Sequence, residues 1–157
     1  MTSNQEATID EDAFTVRRTI RISAPIERVW ATVTEPALIS QWFGQAELRG
    51  SGVGAEGTLS WPDHGSIPFR IEAMDAPRLV AYRWCGDDAL DVVPDTVDDA
   101  HSTVFTFTLE SVDGGTQLQV VETGFETTSD PSANLTSHQE GWNSELDELV
   151  HLLEGSA

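Results

Sequence analysis

Three ionisable residues of this chain stand at positions where the surrounding pattern calls for apolar side chains. Arg18 falls on the buried side of an alternating N-terminal segment, and Glu122 continues the inward register of the last such segment. His138 lies one helical turn before Trp142 and faces the same way. Because burying a charge without a partner is costly, these three residues are the first candidates for chemistry.

His138 is the one candidate for catalysis, as a general acid or base, because histidine titrates near neutral pH. The sequence places no second catalytic group beside it, so no catalytic residue is assigned. The serines lack a nucleophile-elbow pattern, and the glycines of residues 50–57 lack the lysine and following helix of a phosphate-binding loop. Cys85 is the only cysteine, which excludes an internal disulfide and a thiolate zinc site. We therefore expect no metal and no cofactor.

A long C-terminal helix, predicted over residues 131–153, is the element that must position His138. Its apolar stripe is formed by Leu135, His138, Trp142, Leu146, Leu149 and Leu153. Gly141 interrupts this helix at a cost in helix propensity, so it is expected to permit close approach of the sheet or of a bound molecule. A stripe of this length needs a broad curved apolar surface to cover.

The rest of the chain supplies that surface as strands. The predicted order begins with a strand over 14–22 and two short helices, the second of which begins at Pro36 and ends in Trp42-Phe43-Gly44. The strands that follow are predicted over 58–61, 67–74, 79–84, 103–109 and 116–123, the last two joined as a hairpin. The acidic segment from Asp87 to Ala100 is predicted to be a solvated, mobile loop.

This order predicts an α+β helix-grip fold, in which a curved antiparallel sheet of six to seven strands wraps around the long C-terminal helix. Residues 1–13 are predicted to be a disordered N-terminal tail and 14–154 a single domain. The first and last strands are adjacent in such a sheet, so we hypothesise that Arg18 and Glu122 approach each other at a cavity wall and orient a ligand's polar head. The alternatives are a structural ion pair or two separate exposed side chains.

A cavity between the sheet and the helix is expected to be lined by inward strand positions and by the striped helix face. The short helix that ends in Trp42-Phe43 and the loop of residues 87–100 are its expected gates. The predicted ligand-binding residues are Arg18, Trp42, Phe43, Trp61, Phe69, Phe105, Phe107, Glu122, His138, Trp142 and Leu146.

Several short motifs, in order along the chain, resemble one known family. They are Ala24-Pro25, Val29-Trp30, Trp42-Phe43-Gly44, Pro77-Arg78-Leu79 with Trp84, Gly115-Thr116, Gly124-Phe125, and Gly141-Trp142 with Leu146 and Leu149. Together they resemble the activator of Hsp90 ATPase homologue-like family of the START-like (SRPBCC) superfamily, over roughly residues 14–154. The resemblance implies a deep hydrophobic cavity. Superfamily relatives include lipid carriers, hormone receptors, aromatase or cyclase enzymes, and co-chaperones, so the shared fold does not choose a function.

Three functions remain open at this point. The first is a binding module that holds a small hydrophobic or amphipathic molecule. The second is a cyclase-, aromatase- or hydrolase-like enzyme that uses His138 with Arg18 and Glu122. The third is a co-chaperone-like or stress-response protein-interaction module.

Charge restricts the partners of this acidic protein. The 157 residues carry a formal charge of -19, from 27 acidic and 8 basic side chains, and every basic one is arginine. Such a surface repels phosphate backbones and anionic lipid, so we expect neither nucleic acid nor membrane as a partner. The N-terminal residues show no secretory signal, which favours a cytoplasmic protein. We expect it to be a monomer or a homodimer.

Overall fold

The computed structural model describes residues 4–62, 65–85, 87, 96–97 and 101–155. Within them the chain forms one antiparallel eight-stranded sheet, a long C-terminal helix and shorter helices, which confirms the predicted α+β helix-grip class. The strands are β1 (Thr8–Asp10), β2 (Thr15–Ile22), β3 (Gln45–Arg49), β4 (Glu56–Trp61), β5 (Gly65–Asp75), β6 (Leu79–Cys85), β7 (Ser102–Val112) and β8 (Gly115–Thr123). The helices are α1 (Ile26–Thr34), α2 (Pro36–Ile39), a 3-10 turn over Phe125–Thr127, and α3 (Pro131–Glu154).

The sheet order is β1-β2-β8-β7-β6-β5-β4-β3, so the first predicted strand and the last are neighbours as expected. The two strands beyond the predicted six lie at the two edges. β1 falls inside the segment predicted to be a disordered tail, where Thr8 to Asp10 pair with Arg17 to Thr15. β3 was not predicted; it is five residues long and has two apolar side chains, with Ala46 buried and Leu48 half-buried between exposed polar residues. Short polar strands are typical of sheet edges.

Pro36 divides the first helical region into two helices. α1 buries Val29 and Val33 and ends before Glu35, whose extended backbone suits the residue preceding a proline. Pro36 then starts α2, which is only four residues long. The turns after α2 carry Trp42 into the interior, where its indole Nε1 donates to the backbone oxygen of Thr32 at 2.9 Å.

α3 begins at Pro131 after Asp130, whose side chain accepts a hydrogen bond from the Ala133 amide. All six residues of the predicted stripe are buried. The expected close approach of the sheet to Gly141 is absent: among the described residues, leaving aside the neighbouring backbone of α3, no atom lies within 4 Å of the position that a Cβ would occupy there. In the part of the chain that the structure describes, none of the helices is long and apolar enough to cross a membrane.

Two hydrogen bonds hold the N-terminal segment against α3, one donated by its backbone and one accepted by it. The Ala7 amide donates to Oδ1 of Asn143 at 2.6 Å, and Nε2 of Gln139 donates to the Ala7 oxygen at 2.8 Å. Ala7 is 3% exposed. The segment around Ala7 is thus part of the packed domain.

Candidate functional site

Seven aromatic side chains meet between the sheet and α3, and we call them the aromatic cluster. They come from the segment after α2, from β4, β6 and β7, and from α3. The aromatic cluster consists of Trp42, Phe43, Trp61, Trp84, Phe105, Phe107 and Trp142.

Phe43 lies at the centre of this cluster. Its ring stacks on Trp42 with centroids 5.0 Å apart and on Trp142 with centroids 5.7 Å apart, at interplanar angles of 23° and 18°. Trp61 and Phe105 meet it edge-on at 5.8 and 6.0 Å. Stacked and edge-to-face contacts of this kind are the favoured arrangements of aromatic rings.

A fully buried carboxylate, Glu122, lies beside the cluster and binds two of its indoles. Nε1 of Trp142 donates to Oε1 at 2.8 Å, and Nε1 of Trp84 donates to Oε2 at 2.9 Å. The hydroxyl of Thr103 donates to Oε2 as well. Nδ1 of His138 lies 2.8 Å from Oε1 and 2.9 Å from Oε2. Both oxygens of Glu122 are therefore engaged.

The charge state of Glu122 follows from these contacts. Burial raises its pKa, but the charge of His138 and the hydrogen bonds from His138, Thr103 and Trp84 outweigh burial and hold the pKa below the usual value of 4.5. An ionised carboxylate only accepts hydrogen bonds, so Nδ1 of His138 carries the proton that it shares with Glu122. The His138 ring also meets Phe125 and Trp84 edge-on.

This geometry suits a positioning role for Glu122 better than a catalytic one. A general base needs a free lone pair that faces the substrate proton. Here the two oxygens already receive donors from four side chains. The carboxylate instead fixes the orientation of the Trp84 and Trp142 rings, which form walls of the aromatic cluster.

The expected approach of Arg18 to Glu122 does not produce an ion pair, because Arg18 pairs with Asp147 instead. The Arg18 guanidinium donates to Oδ1 of Asp147 at 2.7 Å, and to the backbone oxygens of Trp142 and Asn143 at 3.2 and 3.0 Å. Its Nε donates to the oxygen of Gln5 at 2.8 Å. In the sheet register Val16 lies opposite Glu122, and Arg18 lies opposite Val120.

The described side chains pack closely where the segment after α2 meets the sheet. The space between them is a cavity of about 10 Å³, which is room for one water molecule. The cavity is lined by Val33, Ile39, Trp42, Phe43, Leu59, Phe69, Tyr82, Phe105 and Phe107.

The remaining predicted residues are in the core, and some residues were missed. Phe69 lines the small cavity and packs on Tyr82, whereas Leu146 is fully buried on α3. Trp84 and Thr103 were not predicted as site residues, although each shares the inward register of its strand. Of the predicted loop gate, only Asp87, Thr96 and Val97 fall within the described residues.

Asp87 forms a second buried polar centre, at the base of that loop. Its Oδ2 accepts hydrogen bonds from the amide and hydroxyl of Ser129 at 2.8 and 2.6 Å and lies 3.1 Å from Nδ1 of His101. Nδ2 of Asn134 donates to Oδ1 at 3.4 Å. These contacts tie the base of the loop to the start of α3. Within the described ranges, no group of three or more acidic, histidine or cysteine side chains could hold a metal ion.

Solved structures of other proteins share the fold of this chain. Protein MLL2253 from Mesorhizobium loti is 26% identical, with a TM-score of 0.75 over 91% of this chain and 98% of that one. The Aha1 dimer from Colwellia psychrerythraea is 18% identical, with a TM-score of 0.69 over 89% and 96%. DynU16, a protein of the dynemicin biosynthetic locus, is 22% identical, with a TM-score of 0.71 over 89% of this chain and 47% of that one. Below 25% identity such likeness shows the fold alone.

The sequence also matches a family model. A comparison with curated proteins found no match. The model that matches is described as activator of Hsp90 ATPase homolog 1-like protein, and it covers residues 23–154. Because this match spans most of the chain, from the end of β2 to the end of α3, the protein belongs to the activator of Hsp90 ATPase homolog 1-like family.

Proposed function

We propose that this domain binds a small hydrophobic or amphipathic molecule between the sheet and α3, with aromatic side chains moving aside to admit it. The observation that carries the proposal is the aromatic cluster with a buried carboxylate behind it. Binding pockets for small molecules are lined mainly by apolar and aromatic side chains with a few placed polar groups. Buried ionised groups with shifted pKa values also concentrate at functional sites.

The polar network favours binding over a purely structural core. Holding an ionised carboxylate in the interior is costly, and a well-packed apolar group of similar volume is often at least as stable. Glu122 is nevertheless present at 0% exposure, and it holds the indoles of Trp84 and Trp142 by their N–H groups. Such pre-oriented walls reduce the ordering cost when a guest binds.

The competing functions have weaker support. An enzyme would need a carboxylate or imidazole with a free lone pair toward the substrate, and Glu122 has both oxygens engaged. A protein-docking module would present a contiguous exposed apolar patch. Among the described residues, Val53 is the one large hydrophobic side chain that is strongly exposed, at 64%.

Native mass spectrometry of the freshly purified protein tests the proposal. We expect a small molecule retained under gentle ionisation and lost on unfolding, and we expect it to raise the melting temperature when added back. Trp142→Leu removes one wall and should abolish retention, whereas Val53→Ser on the surface should retain the molecule. If the wild type retains nothing and no alkyl or aromatic probe raises its melting temperature, the proposal is wrong.

A further inference from the structure

The ring of Phe43 is held as a planar aromatic guest would be held. It stacks on two indoles and is met edge-on by two further rings, while Trp84 contacts it at 5.5 Å with a tilt of 33°. Five aromatic neighbours surround one ring. A flexible alkyl chain would gain area burial there but none of the quadrupole contacts that aromatic pairs add.

Phe43 differs from its neighbours in how its backbone is held. Trp84, Phe105 and Trp142 stand on β6, β7 and α3, whose backbones are fixed by ladder or helix hydrogen bonds. Phe43 stands on the connection between the four-residue α2 and the edge strand β3. Its carbonyl oxygen accepts from Nε1 of Trp61 at 2.8 Å, and its amide donates to the oxygen of Ile39 at 2.9 Å. Phe43 is therefore held by a turn and by its ring contacts and not by a ladder of strand or helix hydrogen bonds.

Three of the five rings around Phe43 are held by residues other than Phe43. Glu122 holds the Trp84 and Trp142 indoles, and Trp42 is held by the Thr32 oxygen. If the Phe43 ring left, these rings would remain in place around a slot of one ring's thickness.

We propose that Phe43 occupies the seat of a neutral planar aromatic ligand, and that the ligand displaces the Phe43 ring by outward movement of Phe43 and Gly44. This inference rests on the proposed function and names its ligand class. A neutral guest is favoured over an anion because the ionised Glu122 stands behind the slot and the whole chain carries a charge of -19.

Indole N–H signals in the nitrogen–proton NMR spectrum test the inference on the wild-type protein. The probes are 2-naphthol and 1-decanol, two alcohols with the same number of carbons, one planar and one flexible, together with 2-naphthoate as the anionic planar probe. We expect 2-naphthol to bind at least about tenfold more tightly than either of the other probes. Its binding should shift the Trp61 signal, because the Phe43 oxygen that this N–H contacts moves away.

A pair of variants tests the displacement step. In Phe43→Ala the resident ring no longer competes, so the apparent affinity for 2-naphthol should rise by about tenfold or more. Phe125→Ala deletes another buried ring, outside the aromatic cluster, and should give no gain. If Phe43→Ala does not fold, the shift of the Trp61 signal in the wild type decides the question.

The outcomes separate this inference from the function on which it rests. If 1-decanol binds as tightly as 2-naphthol, or if 2-naphthol leaves the Trp61 signal unchanged, the domain binds guests but Phe43 is not their placeholder. If 2-naphthol binds Phe43→Ala no more tightly than the wild type, displacement is also overturned. If no probe binds either protein and native mass spectrometry finds no guest, the proposed function fails with it.

Discussion

His138 and Glu122 are joined in one orientation, with Nδ1 of the imidazole 2.8 Å from Oε1 and 2.9 Å from Oε2 of the carboxylate. The pair links α3 to β8 across the interior. Because the same carboxylate receives Trp84, Trp142 and Thr103, one side chain connects α3 with three neighbouring strands. Substitutions at Glu122 should therefore affect the whole domain.

Glu122→Gln is expected to lower the free energy of unfolding by about 2–4 kcal/mol, because the amide group of glutamine would face donors that need an acceptor. Urea unfolding followed by tryptophan fluorescence measures the loss. Glu126→Gln, at an exposed position four residues away, should stay within about 0.5 kcal/mol of the wild type. Equal stabilities for the two variants would contradict the central role of Glu122.

The same carboxylate should make stability depend on acid. Its folded pKa lies below the unfolded value of 4.5, so its contribution is fully present above that pH and is lost as pH falls through the folded pKa. Glu122→Gln should therefore show a shallower loss of melting temperature over the acid range than the wild type. Parallel acid curves would show that Glu122 does not contribute in this way.

Arg18 and Asp147 form an ion pair whose ends differ in exposure, at 3% and 66% of the side chain. Arg18→Met should cost about 2–4 kcal/mol of stability, since it removes the four hydrogen bonds that the buried guanidinium donates. Asp147→Ala should cost less than about 1 kcal/mol, because the exposed end is screened by water. Chemical unfolding of both variants measures the difference, and equal losses would mean that the ion pair itself dominates.

Glu145 should make the protein less stable as pH rises. Burial, and secondly the charge of Glu148, raise its pKa to about 7. A carboxyl whose folded pKa lies above its unfolded value of 4.5 opposes folding increasingly between those two values. Glu145→Gln should therefore stabilise the protein near pH 8, by at most about 1 kcal/mol because Glu145 is partly exposed, and should have little effect near pH 4.

Melting temperatures at those two pH values measure the effect of Glu145. Glu148→Gln is the matched control, and it should give a smaller gain near pH 8 because it removes only the neighbouring charge. A gain that is the same at both pH values would point to a cause other than ionisation.

Gly141 and Gly57 should respond in opposite ways to alanine. Among the described residues nothing lies near the missing Cβ of Gly141, so Gly141→Ala should stabilise α3 by about 0.5–1 kcal/mol. A Cβ at Gly57 would lie 1.7 Å from the Glu47 oxygen, so Gly57→Ala should lose about 1–3 kcal/mol or fail to fold. Thermal unfolding compares them, and a loss of stability in Gly141→Ala would reveal a contact at that helix face.

Alternation of apolar and polar residues was sufficient to predict the central strands. Spacing of apolar residues by three or four was sufficient to predict the stripe of α3. Alternation failed at β1 and β3, because an edge strand has one neighbour and needs few apolar residues. The pattern also determined that Glu122 and His138 face inward. It did not show that they meet, because that depends on where α3 crosses the sheet.

The error at Arg18 has the same origin. Period-two alternation correctly placed it on the inner face of β2, where it is 4% exposed. Its partner was misassigned because Asp147 lies on α3, far away in sequence, and a strand pattern contains no information about helix position. The close packing of the aromatic cluster could not be predicted either, since aromatic residues at inward positions are equally compatible with the lining of a cavity and with a packed core.

The pairing of β2 with β8 bears on how this domain can be shortened. The shared family region begins at residue 23, one position after β2, yet β2 occupies the place between β1 and β8 in the sheet. A fragment that begins at that boundary would lack β2 and would expose the edge of β8. The backbone donors and acceptors along that edge could then pair with a strand of another molecule. The boundary of the family match is therefore a poor choice for shortening this protein, and fragments that begin there should self-associate.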